Sequence, residues 1–342
     1  MTKAIASSPK GSNMPRSPLV GLIVGLAILL ICFLYSISLG AADIPLAQIV
    51  TSFTAFDGSY NHLIVQTVRF PRSLIAMLVG SFLAVSGALM QGLTRNPLAD
   101  PGILGIESGA ALAVVTTIFL FGSSSLRVLT IAAMLGAAAT AVLVYFLGSL
   151  GRGGATPLNL TVAGAALTAL ISSLTTAILI VSQQTLEEIR FWLAGSLAGR
   201  ELDLLLPVLP FALVGLIVAF ALGRQITTMS LGEDVAKGLG QQTAWVKIVT
   251  AISVVLLAGS SVALAGPIGF LGLVVPHIVR FFIQADYRWI LPYAAIVGAT
   301  LLLVADIAAR VLFKPQELPV GVMTALVGAP FFVYLAKSKV KK

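Results

Sequence analysis

Thr94-Arg95-Asn96-Pro97-Leu98-Ala99-Asp100-Pro101-Gly102-Ile103-Leu104-Gly105 is a polar turn, punctuated by two prolines and set between two long apolar runs. Pro97 lacks a backbone donor, and Pro101 suits the first turn of a helix, where a missing N–H costs nothing. A structured break between membrane-length segments points to a chain that builds a passage. Two later stretches repeat the theme. Gly266 to His277 reads Gly-Pro-Ile-Gly-Phe-Leu-Gly-Leu-Val-Val-Pro-His, and Glu317 to Gly321 reads Glu-Leu-Pro-Val-Gly. Gly266, Pro267, Pro276 and Pro319 are therefore expected as structural breaks beside Pro97 and Pro101, with Pro267 also opening a helix.

Around these breaks the chain is apolar. Of 342 residues, 58% are apolar and 10% charged, and the mean hydropathy is +1.03. A water-soluble domain carries about 25% charged residues, so an all-α polytopic membrane protein is expected. The runs are too long and too unalternating for a barrel. Cys32, the single cysteine, lies inside the first run, which excludes an intrachain disulfide or a thiolate metal site. The formal charge of +8 sits beside the spans rather than on one patch, so membrane topology explains it and nucleic acid does not.

Crossing a hydrocarbon core takes about 20 helical residues. The candidate spans are 18–40, 68–92, 101–121, 127–150, 157–182, 204–223, 243–265, 268–284, 289–311 and 319–337, with the third and eighth short or broken. The first is too long for the apolar core of a signal peptide and reads as a retained helix. A single transmembrane domain over 18–338 is expected, with a basic tail over 1–17 and a short tail at 339–342. Fourteen of the 21 lysines and arginines fall on the N-terminal side of the membrane and seven opposite. The positive-inside rule thus places both termini in the cytoplasm. The outer loops 41–67 and 183–203 each hold an amphipathic piece, Ile44 to Phe53 and Leu186 to Leu197 with Trp192, suited to lying on the interface.

Carboxylates are scarce within the spans. Glu107, near the start of the third, fits the positive end of a helix dipole. Asp306 has Arg310 one turn on and reads as an intrahelical ion pair. Ion-coupled carriers place carboxylates at mid-membrane, so the driving energy is expected from elsewhere. No Walker sequence is present, so the chain does not bind ATP phosphates in that way. His62 and His277 are far apart, and no metal-ligand set exists.

Ser230 to Gly240 forms a cytoplasmic segment too short to span. Ser230 and Glu233 have capping-box spacing, while Gly238 and Gly240 offer a stop. Leu231, Val235 and Leu239 share one face. That stripe can lie on lipid or dock into a cytoplasmic partner. Arg69 and Arg72 open the second span on the outer side, and Arg310 closes the ninth there. Snorkelling to lipid phosphates is the simpler physical account of all three; carboxylate docking is the other.

Taken in order, Arg69 to Arg72, Ser86-Gly87 through Gln91, Arg95 to Gly105, Trp192 with Gly195-Ser196, Leu231 to Gly240, Gly266 to Arg280, Ala305-Asp306 through Arg310, and Glu317 to Pro330 resemble the permease subunits of ABC importers for iron–siderophores, vitamin B12 and haem. The resemblance covers residues 60–335. It implies the type II importer fold of about ten transmembrane helices, two permease subunits around a path, two cytoplasmic ATP-binding subunits and an extracytoplasmic substrate-binding protein. ATP and Mg belong to the partner ATPase, and no cofactor is implied on this chain, which is not itself an enzyme.

By position, the resemblance makes Leu231, Gly232, Glu233, Val235, Ala236, Leu239 and Gly240, within 228–241, the ATPase-coupling segment. It makes Arg69, Arg72 and Arg310 docking points for acidic residues of the binding protein, and places Asn96 and Leu98 near the cytoplasmic gate. Glu107 departs from the family's pattern, so no substrate contact is carried over there. A ferric siderophore in a bacterial cytoplasmic membrane is the implied cargo and setting, with haem or vitamin B12 as alternatives within the family. An ion-coupled secondary transporter and an intramembrane enzyme are the rivals outside it.

Overall fold

The computed structural model describes residues 18–40, 43–122, 125–150, 156–283, 285–314 and 316–340. Among these, all regular structure is helical: α1 (Pro18–Ser38), α2 (Leu46–Thr54), α3 (Tyr60–Ile64), α4 (Phe70–Thr94), α5 (Ile106–Phe121), α6 (Leu126–Ser149), α7 (Pro157–Val181), α8 (Gln183–Leu193), α9 (Leu202–Ala221), α10 (Gly223–Ser230), α11 (Glu233–Gly238), α12 (Thr243–Ala265), α13 (Leu271–Phe282), α14 (Tyr287–Val311) and α15 (Val320–Val340). A π-helical turn, Val65–Arg69, fuses α3 to α4. All ten expected spans appear as helices. Seven are long and apolar enough to cross a membrane, counting α3–α4 as one, while α5, α13 and the apolar part of α15 are shorter. The expected basic tail over 1–17, Arg152 and the last two lysines lie outside the described residues; α15 runs to Val340, two residues past the expected boundary.

The long helix through α4 is the hub. Its apolar stretch is 78% buried inside the protein, against 11% for α1, which packs on the outside of α14. Helices α12, α13 and α14 all lie against α4. Small residues allow this closeness: a Cβ added at Gly87 of α4 would sit 2.0 Å from the Gly272 carbonyl oxygen of α13. Membrane helices associate through such backbone approach because lipid supplies no hydrophobic drive.

The expected breaks at 94–105, 266–277 and 317–321 all hold non-helical backbone, and the first two meet. After α4 ends, Arg95 turns the chain in the left-handed region (φ 52°). The Asn96 side chain accepts from Leu98 N, and Asp100 Oδ1 accepts from Gly102 N as it starts a 3-10 turn, Pro101–Leu104. The turn then climbs back into the bundle. Asp100 and Pro101 press on Gly272, and Gly272 abuts Leu83 and Gly87, roughly 10–16 Å up α4 from its inner end at 1.5 Å per residue. Irregular backbone at that depth is tolerated only when protein covers it. The covering comes from α13 and from α7, whose Gly164 lies against the Ile103 carbonyl.

Several local expectations are corrected. Pro267 does not open a helix; residues 266–270 are non-helical, and α13 starts at Leu271 after Phe270 at φ 70°. Pro276 does not break α13 but sits inside it. Its missing N–H frees the Gly272 carbonyl, which instead accepts from Gln91 Nε2 of α4 at 3.2 Å. Gly269 touches nothing that a Cβ would meet, so it serves no close approach. Trp192 is buried against the core rather than lying on the interface.

Candidate functional site

At the outer end, five charged side chains from three places in the chain form one cluster. Arg72 of α4 reaches Asp306 of α14 through Nε (3.0 Å) and Nη2 (2.8 Å), both to Oδ1. Its Nη1 donates to Glu317 Oε2 at 2.6 Å. Arg310, one turn after Asp306, brings Nη2 within 3.0 Å of the other carboxylate oxygen. That contact has ion-pair distance without hydrogen-bond geometry, since Oδ2 accepts no hydrogen bond. The expected Asp306–Arg310 pair therefore exists, but Asp306 is shared with Arg72.

The remaining donors turn to the C-terminal end of α1. Arg69 Nη1 donates to the Ile37 and Ser38 carbonyls, and Arg310 Nη1 to those of Ser36 and Leu39. Arg310 Nη2 also meets Ser36 Oγ at 2.8 Å. Helix C-terminal carbonyls carry partial negative charge and favour cations. Arg69, Arg72 and Arg310 are only 7, 6 and 4% exposed. Expected as outward-pointing cations, they are buried, and the α1 carbonyls with Asp306 and Glu317 take up their donors and so offset the cost of leaving water. Sequence reasoning missed the Arg72–Asp306 contact: the two residues lie 234 apart, and only their shared depth at span ends connects them.

Below this cluster the two breaks line a small void bounded by Leu83, Asp100, Ile106, Glu107, Val262 and Ile268. Glu107 sits in the first turn of α5, as the dipole argument expects. No group of three or more potential metal ligands occurs among the described residues. His277 packs edge-on against Phe281 and Phe331.

The inner end is built differently. Helix α10 stops at Ser230, Gly232 at φ +131° redirects the chain, and α11 runs for six residues. The expected capping box is absent: Ser230 Oγ donates back to the Thr227 carbonyl, and no side chain caps α11. The stop is present, with Gly240 at φ +81° donating to the Lys237 carbonyl. Ala236 is buried against the protein, whereas Leu231, Val235 and Leu239 are 66, 48 and 70% exposed. Glu233 fastens this segment to α12 through Lys247 Nζ (2.8 Å) and to Lys237 (3.2 Å). The hydrogen bond from Lys247, reinforced by Lys237, holds the Glu233 carboxyl down at about 2. Asn96 is exposed and Leu98 half-buried at the same end, near Arg95, whose Nη1 lies against Gly232.

A bundle of apolar spans packed around α4, broken helices meeting at depth and an inner segment with a bare apolar stripe suit a multi-pass membrane permease, and the likeness to known proteins makes it one of a bacterial ABC importer. Such a subunit does not hydrolyse ATP itself and works with ATPase and binding-protein partners. The chain belongs to the FecCD transport family, whose model matches residues 28–338. It is 49% identical to the "Probable siderophore transport system permease protein YfiZ" of Bacillus subtilis (strain 168), over 92% of this chain and 97% of that protein. It is 40% identical to the ferric enterobactin transport system permease protein FepD of Escherichia coli (strain K12), over 92 and 94%. Among solved structures, an inward-facing ABC transporter assigned to the metal-chelate type superposes with a TM-score of 0.81 at 32% identity, covering 94% of this chain and 99% of that one.

Proposed function

We propose that this permease carries a ferric siderophore or related iron chelate into the cytoplasm. A binding protein delivers the chelate at the outer face, and the path lies between this subunit and a second permease, identical or paralogous. One observation supports this cargo above all. Relatives 40–49% identical over about nine-tenths of the chain are named for siderophore, iron(3+)-hydroxamate, Fe(3+)-citrate and ferric enterobactin transport.

The inner segment suits a coupling role. Leu231, Val235 and Leu239 present an apolar face suited to a cleft on one of the two ATP-binding subunits, which hold ATP and Mg. Gly232 and Gly240 frame it, Ala236 seats it, and Glu233 ties it to α12, so a push on α11 reaches a spanning helix directly. Asn96 and Leu98, beside Arg95 at the same end, lie where an inner gate would respond. At the outer face, Arg69, Arg72 and Arg310 are committed to internal partners. An acidic group of the binding protein would engage Arg72 by displacing Glu317, the one partly exposed carboxylate of the cluster.

The test is reconstitution. Proteoliposomes holding the permease with its ATPase and binding protein should accumulate iron-55 as a ferric siderophore only with internal ATP. Accumulation by the permease alone under a proton or sodium gradient would overturn the reading.

A further inference from the structure

An outer cavity of about 660 Å³ lies between the outer ends of α5 and α6, helix α8 and the turn before α15. Its volume falls in the usual range for small-molecule pockets, roughly 300–1,000 Å³. Trp192 and Phe191 supply aromatic wall, and Leu126 and Pro319 bring the starts of α6 and α15 to its rim. Backbone bonds make the wall rigid: Ser196 N donates to the Ala265 carbonyl and Gly321 N to that of Gly195.

Arg200 lines this cavity and is only 7% exposed. Its Nε makes one long bond, 3.4 Å, to the Ser196 carbonyl. Among the described residues its two terminal nitrogens have no hydrogen-bond partner, and no carboxylate lies within ion-pair distance. Burial without a counter-charge pulls the guanidinium down to about 10. The cavity's own acids are engaged elsewhere: Glu317 is held by Arg72, and Glu188 accepts from Gln184 on the solvent side. Those nitrogens are not closed off from solvent, so the fork is open to an occupant of the cavity, and a guanidinium fork matches a carboxylate in two parallel bonds.

We propose that Arg200 and its cavity form a binding site for a carboxylate of the incoming ferric chelate, at the entrance to the path. This rests on the ferric-chelate reading above. The concave, aromatic-walled shape, half open to the outside, favours a small anion over a protein side chain reaching from a flat docking face.

The test uses the complete importer in nanodiscs of zwitterionic lipid without binding protein, with iron-55 citrate as probe. Wild type should bind it, Arg200→Gln should bind about 10–100-fold more weakly, as expected for a lost charge-assisted pair, and Arg200→Lys should fall between. Absence of wild-type binding, or equal binding by Arg200→Gln, overturns the site. If Arg200→Gln weakens only the affinity for the binding protein, the carboxylate belongs to that partner and the proposal fails. Should the variant not assemble with its ATPase, wild type still decides. Ferric citrate, and not a neutral ferric trihydroxamate, should shield Arg200 from phenylglyoxal by mass spectrometry; equal labelling overturns the site. ATP-driven uptake of the neutral chelate by wild type separates the two readings, since it survives failure of this site but not failure of the importer assignment.

Discussion

The two ends of this permease handle exposed chemistry in opposite ways. At the outer end, Arg69, Arg72 and Arg310 are buried and matched by Asp306, Glu317 and the last carbonyls of α1. At the inner end, Leu231, Val235 and Leu239 stand largely exposed. Polar groups are closed off at the outer end, and apolar groups are left bare on the segment proposed to couple to the ATPase. A charged cluster in a membrane protein is therefore not by itself a docking face; its internal accounting has to be completed first.

The sharpest way to break this contrast is Asp306→Ala. It strands two buried guanidiniums, and removing one partner of a buried pair costs about 3–5 kcal/mol. Thermal unfolding in detergent should show a large fall in Tm. An unchanged Tm would mean that the outer cluster is not a structural lock. The next effect concerns the other end. Leu231→Ala with Leu239→Ala should leave Tm within a degree or two of wild type, because both side chains are exposed. ATPase binding should weaken, each buried leucine contributing about 1.5–3 kcal/mol to such a contact. Co-purification at decreasing concentration measures it, and loss of Tm instead would show that the stripe packs internally.

Glu233→Gln is expected to act least. Its carboxylate is about a third exposed, and exposed ion pairs contribute about 0–1 kcal/mol. Because its folded pKa is depressed, the contribution is complete above the ordinary carboxylate range near 4.3. It fades only as pH falls toward about 2. Coupled ATPase activity should thus show no Glu233-dependent step between pH 8 and 5, in wild type compared with the variant. A step in that window would show that the Lys247 contact is not formed.

Much of this was legible in order along the chain. The ten spans follow from apolar runs, and the polar turn at 94–105 from two prolines, Asn96 and Asp100 with their short-range caps. The apolar stripe across 231–239 follows from residues four apart. Each is a local pattern, carried by neighbours within a few residues. The capping box failed because Ser230 found the Thr227 carbonyl closer than the next helix start. The Pro276 break failed because Gln91, far away in sequence, relieves the freed carbonyl.

By itself, then, the order of residues determined that this chain is a helical membrane protein, roughly where its spans lie, and that an apolar stripe recurs every four residues over 231–239. Hydrophobic length and turn chemistry are properties of adjacent residues and need no partner to be read. Only the tertiary structure decided that the outer arginines turn inward onto Asp306 and α1, that the two breaks press together at depth, and that Arg200 is left without a counter-charge. Those outcomes depend on which distant groups share a low-dielectric interior, where every charge must find its match or wait for one.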